Sequence, residues 1–165
     1  MPRRKHASDT ERFWDLTLDV CVLMSAWQRG TTQQKKPCLD LTRRIADNED
    51  CFLALDTKQR ILTQYQRRNP NDAPRWLQHL ASRNKIMLVD PKPLKRADDE
   101  KLGKARFGGK NYKEDVKYVE VARATACHVV VSHDAHFRNA KDILKTKSIG
   151  VDVRSPQEAL DLTSP

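Results

Sequence analysis

No run of roughly 18 apolar residues, the length a membrane span needs, occurs anywhere in this 165-residue sequence. The charged opening, M-P-R-R-K-H-A-S-D-T-E-R, is not followed by an uninterrupted apolar segment of signal-peptide length. The four cysteines, Cys21, Cys38, Cys51 and Cys127, form no C-x-x-C pair and no regular spacing. That argues against a disulfide framework or a structural zinc site and for reduced, mostly buried thiols. No G-x-G-x-x-G follows a predicted strand, so a Rossmann dinucleotide site has no support, and there is no internal repeat. These absences point to a cytoplasmic protein with no membrane partner.

What is abundant is positive charge. Thirty-one Lys and Arg stand against 22 Asp and Glu, a formal net charge of +9. Such an excess favours an anionic partner, nucleic acid or an acidic membrane surface, with generic solubility as the plain alternative. The length fits one domain with a substantial core. Residues 1–11 read as a flexible basic arm and residues 12–165 as the domain.

Within it, short apolar runs alternate with helical patterns. Trp14, Leu16 and Leu18 alternate as in a strand that ends at Asp19, and V-C-V-L-M-S-A-W can start a helix. The polar Q-R-G-T-T-Q-Q-K-K reads as a loop and Leu39 to Asp47 as a short amphipathic helix. Cys51 to Leu55 is a second strand. Asp56 and Thr57 can cap the helix that carries Ile61, Leu62 and Tyr65. Pro74 to Ser82 predicts a further helix and Ile86 to Val89 a third strand.

Residues 91–113 hold eight basic residues, three of the five glycines and little apolar periodicity, which predicts a long basic loop. From Asp115 onward, Val116, Val119, Ala122 and Ala126 repeat at helical spacing and lead to the run Val129 to Val131. Without polar alternation, that run reads as a strand covered on both faces, in the middle of a sheet. A helix over Asp142 to Lys147, a fifth strand over Ile149 to Val153 and a capping box at S-P-Q-E, residues 155–158, close the chain. The alternation predicts an α/β fold: a three-layer sandwich with a central, mostly parallel five-stranded sheet flanked by helices.

Chemistry concentrates after the central run, in S-H-D-A-H at 132–136. In open α/β sheets that edge is where ligands bind; a helix N-cap is the alternative role for Asp134. Asp19 and Asp115 occupy comparable places. If the first and central strands are neighbours, the three acids converge. Two carboxylates about 4 Å apart cost on the order of 4 kcal/mol at an effective dielectric near 20, so the cluster must take up protons or hold a cation. Oxygen-only ligands suit Mg2+ or Mn2+ and phosphate substrates. His128, His133 and His136 are more simply packing or surface residues than transition-metal ligands.

Four stretches together resemble the PIN domain nucleases: L-D-V-C-V-L-M at 18–24, L-A-L-D-T-K-Q-R-I-L-T-Q-Y at 53–65, E-D-V-K-Y-V-E-V-A at 114–122 and V-V-V-S-H-D-A-H-F at 129–137. The likeness runs over nearly the whole chain from about residue 13 and rests on their order and spacing. It implies adjacent first and central strands and a metal-dependent ribonuclease site. Asp19, Asp115 and Asp134 match the family's acids, and Ser132 matches its Ser or Thr. Two positions depart from the pattern. Cys21 stands where the family usually has Asn, and Gln64, before Tyr65, where it has Glu. With an amide there, one ion rather than two, a loosely held ion or an inactive site follows. Asp56 could substitute only in a different register.

The resemblance implies hydrolysis of RNA phosphodiester bonds that leaves a 5′-phosphate. Asp19 and Asp134 would hold the metal, Asp115 would assist directly or through water, and Ser132 would orient a carboxylate or contact phosphate. Lys104, Arg106, Lys110 and Lys113 are the candidate RNA clamp, with a solvated surface loop as the alternative. The competing expectation is a catalytically weakened module that binds RNA or a protein partner without cleavage. An antitoxin-like partner, as in toxin-antitoxin pairs, and a homodimer are left open. Haloacid dehalogenase-like phosphatases would need Asp where Cys21 stands. In HD phosphohydrolases the His-Asp pair lies in an all-helical fold.

Overall fold

The computed structural model of this protein describes residues 13–27 and 32–165. The basic arm expected over residues 1–11 lies outside them, as do residues 28–31 of the expected polar loop. In chain order the elements are β1 (Trp14–Leu18), α1 (Val20–Trp27), α2 (Thr32–Asp47), β2 (Cys51–Asp56), α3 (Arg60–Arg68), α4 (Ala73–Ser82) and β3 (Ile86–Val89). They continue with α5 (Arg96–Lys104), a 3-10 turn (Gly109–Asn111), α6 (Tyr112–Ala122), β4 (Val129–Val131), α7 (Ala135–Asn139), α8 (Lys141–Leu144), β5 (Asp152–Arg154) and α9 (Pro156–Leu162).

The strands form one sheet in the order β3-β2-β1-β4-β5, and every pairing is parallel. Helices cover both faces, giving the expected α/β three-layer sandwich. Parallel neighbours need long crossovers, and each one here carries helices. The central strands show the consequence. In β1, Asp15, Leu16, Thr17 and Leu18 are all buried, on both faces, as are all three valines of β4. The chain moves from β1 to β2 to β3, then returns past β1 to build β4 and β5. The order therefore reverses between β1 and β4, where the carboxyl ends of the strands open a crevice.

Three segments differ from expectation. Residues 32–47 form one helix of 16 residues instead of a loop and a short helix. Cys38, Leu41 and Ile45 are fully buried at helical spacing, while residues 33–36 face solvent, so the polar start hides the helix from a periodicity argument. The stretch 91–113 is not one long loop. It contains α5, whose Asp98 and Leu102 are buried one turn apart. Asp98 accepts a hydrogen bond from Ser148 Oγ at 2.5 Å. Phe107 inserts into the core edge-on to Phe137, with ring centroids 5.0 Å apart. The fifth strand is shorter than predicted, because Ile149 and Val151 are buried ahead of it in a turn around Gly150, whose φ is +71°. Other boundaries shift by a few residues: α6 begins at Tyr112 and stops at Ala122, and α8 spans Lys141–Leu144. The capping box at Ser155 and Glu158 is present. Among the described residues no helix is long and apolar enough to cross a membrane.

One buried acid sets β4 beside β1. Asp15 is 2 % exposed, and its carboxylate accepts from the backbone amides of Ala126 at 2.7 Å and Cys127 at 2.9 Å, pinning the turn before β4 to the start of β1. Its removal strands two amide donors. Asp15→Ala should cost on the order of 3 kcal/mol of stability, read as a lower urea midpoint. A midpoint unchanged from wild type would show that the turn is held by other contacts.

Candidate functional site at the β1–β4 switch point

Ser132 is the hub of the crevice. The β1 ladder runs one residue past the strand, where Asp19 N donates to Val131 O at 2.9 Å, so Asp19 leaves the sheet beside the end of β4. The Ser132 hydroxyl donates to Asp19 Oδ2 at 2.7 Å and accepts from Asp134 N at 3.0 Å. A single side chain thus fixes one carboxylate and the backbone of a second acid. Asp134 also N-caps α7, its Oδ1 accepting from His136 N at 2.8 Å. The capping role and the site role are held together by the same residue.

Asp115 arrives from the first turn of α6. The backbone facing it is Gly108, at φ +68°, where a Cβ would lie 2.9 Å from Asp115 Oδ2 and 2.9 Å from Tyr112 Cα. Only a residue without a side chain lets that turn approach so closely. Asp19, Asp115 and Asp134 all line one cavity of about 410 Å³, together with Cys21 and Gln64. Three acids drawn from three elements thus line one cavity.

Their electrostatics follow from burial first and from their mutual charge second. Burial, followed by the charges of Asp19 and Asp134, pushes the Asp115 carboxyl up to about 7. Asp19 is raised chiefly by burial, against the hydrogen bonds from Ser132 and Cys21 that favour its charge. The Cys21 thiol donates to Asp19 Oδ2 at 3.1 Å, and burial with the Asp19 charge holds it well above the usual thiol range. Cys21 therefore fills a hydrogen-bonding role toward Asp19 as a protonated group. Gln64 is buried at the cavity wall, and its Oε1 accepts from Tyr118 Oη at 2.5 Å.

Oxygen donors of this kind suit a hard divalent cation. In their present orientations, however, no three His, Cys, Asp or Glu side chains among the described residues stand grouped as a metal site. Asp19 Oδ2 accepts from Ser132 and Cys21, and Asp134 Oδ1 caps α7. The donor set fits a cation in kind.

Other expected residues lie elsewhere. Asp56 is absent from the cavity. It is buried at the start of α3, where it accepts from Arg60 N and Ile61 N and pairs with Arg60 Nε at 3.0 Å. Its carboxylate is taken up by the first amides of α3 and by Arg60, away from the cavity. Lys104, Arg106, Lys110 and Lys113 are all exposed, and none lines the cavity. Lining it instead are Arg67, Arg68, Asn111, Glu114 and Ser25, which the sequence left unremarked, together with His133 and His136, which read there as packing or surface residues. The two arginines were accessible to a spacing argument, since they follow Gln64 by three and four residues on one helix. Ser25 was not, because only the fold brings its hydroxyl to 2.8 Å from His133 Nε2.

The raised Asp115 carboxyl has a consequence for stability. The folded protein binds this proton more tightly than the unfolded chain, so stability falls as pH rises from about 4 to about 7. Asp115→Asn should then melt a few degrees above wild type at pH 8, with the difference vanishing near pH 4, in metal-free thermal scans. An equal melting difference at both pH values would show that Asp115 is not strained by its neighbours. Scanned against models of known protein families and against curated proteins, the chain matches neither a family model nor a curated protein.

Proposed function

We propose that this chain is a metal-dependent ribonuclease of the PIN-like kind, hydrolysing RNA phosphodiester bonds with Mg2+ or Mn2+. The observation that carries this reading is the placement of Asp19, Asp115 and Asp134 on one cavity at the β1–β4 switch point, where burial, followed by the charges of the other two, pushes Asp115 up to about 7. A cation relieves such repulsion, and the excess of positive charge over the whole chain favours a polyanionic substrate.

In this reading Asp19, Asp115 and Asp134 hold the ion. When bound, it supplies charge neutralisation at the scissile phosphate and acidifies a water for attack. Ser132 keeps Asp19 oriented and spaces it from Asp134 through two hydrogen bonds. Cys21 takes a supporting place by donating to Asp19. Gln64 carries no charge and is tied to Tyr118, which favours a single ion. Four free cysteines suit a reducing compartment, which supports a cytoplasmic location.

A second reading has its own support in the hydrogen bonds that already occupy Asp19 and Asp134 and in the uncharged Gln64: a module that binds RNA or a protein partner without cutting. Cleavage decides between them. With millimolar manganese, wild type should cut generic RNA, while Asp19→Asn and Asp134→Asn should each lose about a hundredfold or more of the rate. Equal rates in wild type and Asp134→Asn would remove Asp134 from the mechanism, and no cleavage by wild type would favour the binding module.

Metal binding should also be linked to pH. Because Asp115 must give up its proton, manganese affinity should rise about tenfold per unit below pH 7 and level off above it. Calorimetric titrations across pH 5.5 to 8 measure this, and the slope should disappear in Asp115→Asn. A slope that persists in the variant would assign the proton to another group.

A further inference from the structure

The cavity has a second wall, opposite in character to the carboxylates, and it is built from α3. Gln64, Arg67 and Arg68 share one face of this helix and all line the cavity. The orientation of the Gln64 amide is fixed by its neighbour. Tyr118 Oη accepts from Val20 N at 3.2 Å, so its own proton must go elsewhere, and Gln64 Oε1 at 2.5 Å is where it goes. The Gln64 amide nitrogen is left as a donor on a residue that lines the cavity and is 8 % exposed.

Arg67 is held loosely. Its Nη2 lies 3.6 Å from Glu114 Oε2, and its side chain is 63 % exposed. Glu114 is held more closely by Lys117 Nζ at 2.9 Å. Arg67 can therefore turn to another anion without leaving Glu114 unpaired. The whole α3 wall is fixed in place by Arg60, which bridges Asp56 at 3.0 Å and Glu120 of α6 at 2.9 Å.

We propose that Gln64, Arg67 and Arg68 form the phosphate-binding wall of the site, gripping the backbone of a single strand from α3. The exposed lysines and arginines of residues 104–113 do not supply this grip. The choice of a nucleic-acid strand as ligand rests on the ribonuclease reading; the donor wall does not. Guanidinium groups and an amide N–H are suited to phosphate oxygens, and a cation held by the carboxylates of the same cavity would leave the scissile group between two positively charged partners.

The test is fluorescence anisotropy of a labelled ten-nucleotide single-stranded RNA at pH 7 in EDTA, over 50 to 200 mM salt, so that binding is read without cleavage. The double variant Arg67→Ala/Arg68→Ala should bind roughly tenfold or more weakly, and its dependence of log Kd on log salt should flatten by about 0.7 for each phosphate no longer neutralised. Lys104→Ala/Arg106→Ala should keep the wild-type slope. Gln64→Glu retains the acceptor for Tyr118 but replaces the amide donor with a negative charge, so binding should weaken. A wild-type slope in the α3 double variant, a flattened slope in the 104/106 variant, or no RNA binding by wild type would overturn the proposal. Displacement of the RNA by inorganic phosphate at equal phosphate concentration would also overturn it, pointing to a small phosphate ligand. Manganese-dependent cleavage is scored separately on the same proteins. If wild type binds through α3 but does not cut, the ribonuclease reading fails and the wall stands; if it cuts while the α3 variants bind normally, only the wall fails.

Discussion

Two ladder positions, Thr17 beside Val130 and Leu18 beside Val131, decide where this protein can do chemistry. They bring together strands more than a hundred residues apart in sequence and end them at the same edge. Everything of interest follows from what stands one to three residues beyond that edge: Asp19 after β1, and Ser132, His133 and Asp134 after β4. Were β4 paired elsewhere, Ser132 could not reach Asp19, and the acids would be ordinary surface groups.

Crowding like charges is costly, and the fold supplies partial relief from neutral groups. The Ser132 hydroxyl and the Cys21 thiol donate to Asp19, and α7 takes up one oxygen of Asp134. Asp115 receives no comparable partner among the described residues, and its carboxyl is the one driven up to about 7. The burden of the cluster thus falls on the residue that enters from a helix, across the glycine turn at Gly108.

Much of this was legible in the sequence, for identifiable reasons. The unbroken valines of β4 announced a central strand, and S-P-Q-E announced its helix cap, because both signals are local. The three acids could be placed at strand and helix ends by the same local logic, and the pairing of β1 with β4 brings Asp19 and Asp134 to one edge. What escaped was non-local or masked. The start of α2 is polar on every exposed position, so its buried Cys38, Leu41 and Ile45 gave a period only over the second half. In residues 91–113 the dense lysines obscured a helix held by two buried positions, Asp98 and Leu102, and the basic character drew attention away from Arg67 and Arg68. Position 64 shows the opposite case. Its amide looks like a plain loss of charge in the sequence, whereas in the fold it is a member of a hydrogen-bond chain through Tyr118 to the backbone of Val20.

The five-residue helix α7 draws its N-terminal cap from Asp134, a side chain that also faces the cavity. A helix so short has little cooperativity of its own and depends on that one acceptor. Any change that frays the first turn of α7 frees a carboxylate that lines the cavity. Order in a neighbouring surface segment and the make-up of the cavity wall thus draw on the same side chain.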